Sequence, residues 1–374
     1  MKICVLCNGY PTKKSAANVF VAKLCDEFAE LGHEVTIIAP QSITKILVRN
    51  GQNSPSYFEH KTRTGCIVRV FRPHIVSFGK ITLLNKLNDP IRNYAIRNIL
   101  RKIEEQDVFY GHFWSNGYSL YKVIKHTGKP LFVATGESII NFRTKDIAFK
   151  EYIKGVICVS TKNKEESISC KLTTDEKCII IPNAIDNSVF QKMDKQKCRE
   201  ELGIASNLFV VIYVGQINRR KGFDRLAAAI DSINDPQIGV IFLGRVMEGK
   251  KPQCKGIVKL GFAGQEEIVK YLNASDVFVL PTRAEGCCNA IIEAMACGLP
   301  IISSDLPFNY DVLDNQNSIL IDPDNVEQIA SAIERIKNNV EMMKSLANCS
   351  LRRARSLTLS NRASRIINFI NERK

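Results

Sequence analysis

Short β-rich runs alternate with helix-patterned stretches along this 374-residue chain, and the series is interrupted once. In the first half the runs fall at 2–7, 34–39, 66–71, 108–110, 131–134, 156–159 and 178–181. Helical spacing of apolar residues lies between most of them, at 18–31, 91–105, 117–126 and 161–171. Strands that alternate with helices pair in parallel through right-handed crossovers, which predicts a doubly wound sheet. Pro182 ends that series, and a polar, turn-rich stretch with one short helix runs to Asn207. A second series then begins. Its strands are predicted at 209–214, 240–243, 257–260, 277–280, 300–303 and 318–321, and its helices at 223–232, 265–272, 289–297 and 326–338. The expectation is α/β: two Rossmann-like, doubly wound parallel-sheet domains, 1–184 and 185–357, facing a cleft. A last helix near 358–374 is expected to pack back on the first domain. Open sheets of this kind bind ligands at the carboxyl ends of their strands.

Composition removes several other classes. Hydrophobic residues make up 45% and charged residues 24%, a globular balance that argues against long disorder. No apolar run approaches the ~20 residues of a membrane helix, and the short apolar run at the start turns into Gly9-Tyr10-Pro11, too short for a secretory signal. The thirteen cysteines are scattered. Cys4 and Cys7 form a C-x-x-C inside a predicted strand, where their side chains would point to opposite faces, so neither a zinc site nor a redox pair is expected. A reduced, cytoplasmic compartment fits.

Charge is uneven. The chain carries 52 Lys+Arg against 38 Asp+Glu, but residues 1–185 hold 27 against 16 and residues 186–374 hold 25 against 22. That basic first half leaves two readings open: an anionic partner, or a solvated basic surface. Lys13, Lys14, Lys80, Lys86, Arg92, Arg97, Arg101 and Lys102 are the candidates for a face toward anionic lipid on the inner side of a membrane. No aromatic-basic motif or helix-turn-helix supports a nucleic-acid partner.

The densest chemical signal is 276-DVFVLPTRAEGCCNAIIEAMACGLPIISSD-305. An apolar strand ends at Pro281, a Gly-containing loop follows, and a helix starts near Asn289. Such a helix turns its free N–H groups toward a ligand and favours a phosphate. Glu285 and Glu293, eight positions apart, are either two solvated glutamates of a plain strand–loop–helix or, beside a phosphate that would repel them, acceptors for sugar hydroxyls. A second block, 212-IYVGQINRRKGFDRL-226, leads from a strand through Gly215 and three successive cations, Arg219, Arg220 and Lys221, into a helix. Cations at that position either neutralise a diphosphate leaving group or form a solvated basic turn.

These blocks resemble the GT-B glycosyltransferases, and within them the retaining family 4 (glycosyltransferase group 1) type. The resemblance rests on P-[ST]-x-x-E-G followed by E-A-M-A-x-G-x-P, on Lys221-Gly222 within G-x-x-x-x-x-K-G, on the opening strand, helix and G-H-E-V turn at His33, and on 182-PNAID-186 as an interdomain marker. It implies a nucleotide diphosphate sugar donor, UDP- or GDP-linked, and a glycan or lipid-linked acceptor. It implies no metal and no cofactor, and closure of the domains on the donor. Glu285 would contact the donor sugar, Glu293 the ribose, and the backbone of Gly286, Cys287, Cys288, Asn289 and Ala290 the sugar and diphosphate. Lys221 would hold the diphosphate, with His112 facing the sugar. His112, Lys221 and Glu285 are thus the catalytic candidates, and Gly215, Gln216, Arg219 and Arg220 complete the donor-binding set. Gln216 stands where the family has Arg, so Arg219 or Arg220 would have to supply that charge. Ser15-Ala16-Ala17-Asn18 replaces the family's first glycine loop, and Ala184 its interdomain Gly. Trp114 is a candidate for sugar stacking or core packing, Glu137 for ligand contact or turn capping, and Asp322-Pro323-Asp324 for a turn before a helix. The competing readings are a non-catalytic sugar- or nucleotide-binding relative and a sugar-nucleotide epimerase.

Overall fold

A computed structural model describes residues 1–12, 18–48, 53–78 and 83–374. Lys13, Lys14, Ser15, Ala16, Ala17 and Lys80 lie outside the described residues. The chain divides into two compact units. The first holds Met1–Val159, Asn163–Ile181 and Leu359–Lys374, and the second Ser160–Lys162 and Pro182–Thr358.

The strands of the first unit are β1 (Lys2–Leu6), β2 (Glu34–Ile38), the two-residue β3 (Gln41–Ser42), β4 (Tyr57–Lys61), β5 (Ile67–Phe71), the two-residue β6 (His74–Ile75), β7 (Val108–His112), β8 (Leu131–Thr135), β9 (Ile153–Cys158) and β10 (Cys178–Ile180). Eight of them form one sheet in the order β10-β9-β8-β7-β1-β2-β5-β4, while β3 and β6 pair separately. The central strands are apolar on both faces because helices cover both. Side chains alternate accordingly: Ile3 and Val5 enter one core with Phe28 and Ile366, and Cys4 and Leu6 enter the other with Trp114 and Phe149. Cys7 joins the first core and Cys4 the second, so the C-x-x-C pair does not converge. The helix Leu359–Arg373 buries Ala363, Ile366, Ile367 and Ile370 against the first core.

One expectation needs correction. The first sheet is not wholly parallel, because β4 runs antiparallel to β5, with Tyr57 opposite Phe71 and Lys61 opposite Ile67. The sequence YFEHK lacks an apolar run because β4 is an edge strand whose side chains are exposed or half-buried, and the reading by apolar runs passed over it.

The second unit is built on β11 (Phe209–Val214), β12 (Ile238–Leu243), β13 (Ile257–Gly261), β14 (Val277–Leu280), β15 (Ile301–Ser304) and β16 (Ser318–Ile321). All pair in parallel, in the order β13-β12-β11-β14-β15-β16. The strand order therefore reverses between β11 and β14. Connections leave that junction toward opposite sides of the sheet, which opens a crevice at the carboxyl ends of the two strands. The 15-residue helix Val340–Ala354 was not foreseen. Its buried positions are Leu346, Ser350 and Ala354, a face with almost no apolar signature.

Candidate functional site

The loops that leave β11 and β14 meet at this reversal point. After β11, Asn218 accepts from the Lys221 amide at 3.0 Å and starts a single 3-10 turn, Arg219–Lys221, which ends at Gly222. Gly222 has φ +82°, and a Cβ there would lie 2.2 Å from the carbonyl oxygen of Pro281 in the other loop. Only glycine allows this approach. The Arg283 amide donates to Arg220 O at 2.9 Å and ties the two loops a second time.

A small charged cluster fills the junction. Lys221 Nζ lies 2.6 Å from Glu285 Oε1, and Arg220 Nη1 donates to the same oxygen at 2.9 Å. Thr282 Oγ1 adds a third donor at 3.1 Å, and Arg220 also bonds to Ala284 O. Lys221 and Glu285 are both about 9% exposed. Burial pulls the Lys221 ammonium down, but Cys288 and the Glu285 carboxylate outweigh it and leave its pKa above the ordinary lysine value. Two cations share one carboxylate, so the cluster retains net positive charge.

Cys288 completes the rim. It stands at the N-cap of the helix Asn289–Ala296, its Sγ 3.9 Å from Lys221 Nζ, and burial pushes its thiol up. No side-chain hydrogen bond from Cys288 caps that helix. Gly286, Cys287 and Cys288 are buried, whereas Asn289, Ala290 and Glu293 are partly exposed on the first turns. Gly215 faces the Lys221 side chain, since a Cβ there would be 3.8 Å from Lys221 Cδ. Gln216 and Arg219 are exposed. The Gln216 side chain accepts from Asn218 at 3.3 Å, and the Arg219 amide donates to Glu248 at 3.3 Å. Of the two arginines considered as a substitute for the missing charge, Arg220 reaches the cluster.

Two residues inside the quoted blocks hold this site in roles the sequence did not assign them. Arg225 is buried and donates to Pro323 O at 2.6 Å, Pro281 O at 2.7 Å and Arg219 O at 3.0 Å, so it staples the loops after β11, β14 and β16. Asn183 donates to Cys287 O at 2.9 Å and Asn289 Oδ1 at 2.8 Å, and so fixes the start of the helix Asn289–Ala296. In the Asp322-Pro323-Asp324 turn, Asp322 accepts from the Asp324 amide at 2.9 Å and Asp324 pairs with Arg283 at 2.7 Å. The cap of the next helix is Asn325, which accepts from Gln328 N at 2.9 Å. Among the described residues no three His, Cys, Asp or Glu side chains gather as a metal site would require.

His112 lies in the first unit, as the last residue of β7. It is 6% exposed, with the Phe20 ring 5.1 Å and the Phe113 ring 4.2 Å from its own. Both ring nitrogens are buried without a hydrogen-bond partner among the described residues. Burial, helped by the charge of Arg362, brings its pKa down to about 3, so the imidazole is neutral at pH 7. Directly after it, Phe113 adopts φ +75°, a strained conformation for a residue with a Cβ. That bend lets the helix Trp114–Ile124 start at once after the strand and pack close to it: a Cβ on Gly111 would lie 2.5 Å from Gly117 Cα. Trp114 is fully buried and belongs to the core. Glu137 accepts from Thr135 Oγ1 at 2.7 Å and from the Gly136 amide at 3.0 Å, which makes it a cap of its own turn. Of the basic residues considered for a surface face, Lys86, Arg101 and Lys102 are exposed. Arg92 instead reaches inward to Asn116 and, at 3.1 Å, to Asn8.

Two family profiles match this chain. Glycosyltransferase Family 4 covers residues 17–189, and Glycosyl transferases group 1 covers residues 194–351. Together with the strand order and the site at its reversal point, they identify the class: the chain belongs to the GT-B glycosyltransferases of family 4. It is 26% identical over 358 residues, 90% of each chain, to TuaC of Bacillus subtilis (strain 168), whose name assigns it to glycosyltransfer in teichuronic acid biosynthesis. An Escherichia coli UDP-Gal:alpha-D-GlcNAc-diphosphoundecaprenol alpha-1,3-galactosyltransferase is 26% identical over 313 residues, 76% of this chain and 79% of its own. Among solved structures, sucrose-phosphate synthase from Thermosynechococcus elongatus superposes with a TM-score of 0.78 at 18% identity, covering 99% of this chain and 98% of that one. Anabaena HepE in complex with UDP gives 0.76 at 17% identity, with both chains covered completely.

Proposed function

We propose that this glycosyltransferase moves a sugar from a UDP- or GDP-linked donor to a hydroxyl of a glycan, lipid-linked or part of a polysaccharide, with retention of configuration. The observation that carries the reading is the Lys221–Glu285 pair, 2.6 Å apart, drawn from the two loops of the reversal point. Residues 185–357 would hold the donor, and residues 1–184, with the last helix, the acceptor.

Breaking the donor's glycosidic bond leaves negative charge on the diphosphate. Lys221, Arg220 and the amides at the start of the helix Asn289–Ala296 are preorganised cations and dipoles for that charge. Each such contact is typically worth ~2–4 kcal/mol of barrier. As the diphosphate takes over the cations, Glu285 is released to accept from the sugar hydroxyls, and Glu293 from the ribose. His112, neutral and with both ring nitrogens unpaired, suits a hydrogen bond to the sugar better than proton transfer. UDP is the favoured donor base, because HepE is solved with UDP and with UDP-glucose and the E. coli relative is named for UDP-Gal. No carboxylate nucleophile is assigned, and the reaction is expected to continue in the presence of a chelator.

The test is donor hydrolysis screened across UDP- and GDP-sugars, followed by transfer to candidate acceptors and NMR assignment of the product anomer. Retention predicts that product and donor share anomeric configuration. Donor binding without turnover on any acceptor would favour the non-catalytic relative instead.

A further inference from the structure

Two short helices of the first unit leave most of their apolar residues exposed. The helix Ile43–Val48 (ITKILV) and the 3-10 helix Leu83–Leu87 (LLNKL) have no buried residue at all. Leu83 is 93% exposed, Leu47 74% and Val48 76%, and Ile43, Leu84 and Leu87 are exposed as well. Isolated exposed leucines are ordinary, but a group of this size marks a surface that meets something.

The fold brings the two helices together. Residues 41–42 pair with residues 74–75, and Ile43 follows directly on that ladder. The Ser77 amide donates to Thr44 Oγ1 at 3.2 Å. The Phe78 amide donates to Asn88 Oδ1 at 2.8 Å, while Asn88 Nδ2 returns to Phe78 O at 3.0 Å and to Asn85 Oδ1 at 3.2 Å. One segment, 74–78, thus anchors the helix Ile43–Val48 on one side and the Leu83–Leu87 turn on the other.

The two helices themselves carry only positive charge. Lys45 and Lys86 sit within the two helices, both exposed, and the exposed Asp89 follows Leu87 at the start of the helix Asn88–Leu100. Exposed leucines interleaved with exposed lysines match the boundary between acyl chains and anionic headgroups.

We infer that this surface inserts shallowly into an anionic lipid bilayer, with Leu47, Val48, Leu83, Leu84 and Leu87 below the headgroups and Lys45 and Lys86 among them. The inference deepens the proposed lipid-linked acceptor and depends on that reading for its purpose. Among the described residues no helix is long and apolar enough to cross a membrane, so the attachment is interfacial.

The experiment is cosedimentation of the full chain with vesicles of phosphatidylcholine alone or mixed with phosphatidylglycerol, at low and high salt. Binding is expected only with phosphatidylglycerol. The Leu83→Asp/Leu87→Asp protein should bind at least ~10-fold more weakly at either salt. Lys45→Glu/Lys86→Glu should also weaken it ~10-fold and flatten the salt dependence. A Leu83→Trp protein should show a blue-shifted emission on vesicle addition. Donor hydrolysis should be unchanged in every variant, since none of these residues lies in the donor site. Absent vesicle binding, or binding unaffected by the Leu83/Leu87 change, overturns the inference; intact donor hydrolysis in that case leaves the transferase reading standing. A concentration-dependent dimer in vesicle-free sedimentation, abolished by Leu83→Asp/Leu87→Asp, would assign the surface to a second copy and overturn it equally.

Discussion

The Lys221 cluster and the His112 pocket meet the problem of buried polarity in opposite ways. Around Lys221 every charge has a partner: Glu285 Oε1 takes donors from Lys221, Arg220 and Thr282. Around His112 both ring nitrogens are buried and unpaired, and the cost is met by keeping the ring neutral. The first arrangement can exchange partners, so a diphosphate can replace the carboxylate without exposing a bare ammonium. The second can only gain a partner. On the proposed function, the first kind of site serves charge that moves during transfer and the second a hydrogen bond to the sugar.

The largest expected effect follows from the exchange. Lys221→Ala should lower kcat by 10²–10³-fold, about 3–4 kcal/mol, as removal of one preorganised donor typically does. It should also leave Glu285 buried with fewer cations, so some stability is lost too. Arg219→Ala, altering an exposed side chain, should change kcat less than about threefold by the same reasoning on solvated charges. Steady-state kinetics on the best donor would check both, and equal losses would mean that the 3-10 turn does not select Lys221.

Next in size is the backbone that brings the loops together. Gly222→Ala places a Cβ 2.2 Å from Pro281 O at φ +82°. The left-handed conformation and the clash together should cost about 2–3 kcal/mol, seen as a lower denaturation midpoint with a parallel loss of activity. A stable Gly222→Ala protein with full activity would show that the loops need not meet.

The His112 pocket gives a pH signature instead. Its folded pKa of about 3 lies below the unfolded value near 6.5, so the unfolded chain binds the proton first. Stability from this group is complete above about pH 6.5 and is lost as pH falls toward 3. Between pH 7 and 5 the loss should be about 2 kcal/mol. In His112→Gln that slope should disappear while other titrations remain, which urea melts at the two pH values would reveal.

The two sites also differ in how much of them could be read from the chain. The spacing of Glu285 to Glu293 and the Lys221-Gly222 pair are local, and a strand–loop–helix imposes such patterns on consecutive residues. The succession of strands and helices and the break at Pro182 were legible in the apolar pattern, but the order of strands within each sheet was not, because pairing joins residues far apart in the chain. Arg225 was invisible because two of its three partners are backbone carbonyls 56 and 98 residues away, and carbonyls leave no mark on sequence. Asn183 stands in the 182-PNAID-186 marker, but its partner Cys287 O lies 104 residues on and leaves no mark beside it. The choice of Arg220 over Arg219 rests on the phase of one 3-10 turn, which three consecutive basic residues cannot specify. The β4 edge strand and the helix Val340–Ala354 bury too little apolar surface to announce themselves.

The smallest predicted effect concerns Gln216, where the family pattern carries arginine. Its side chain is exposed and engaged with Asn218, away from Glu285, and Arg220 already brings a guanidinium to that carboxylate. If Arg220 supplies the missing charge, Arg220→Ala should raise the donor KM or lower kcat about 10-fold, the value of one charged hydrogen bond. Gln216→Arg alone should change either by less than threefold, since the charge is already present. In the Arg220→Ala background the same Gln216→Arg change should recover most of the loss. Such non-additivity is what a double-mutant cycle measures, and it arises when two positions serve one interaction. Simple additivity would instead place Arg220 and Gln216 in separate roles, with the diphosphate held by Lys221 and the helix amides without a second cation.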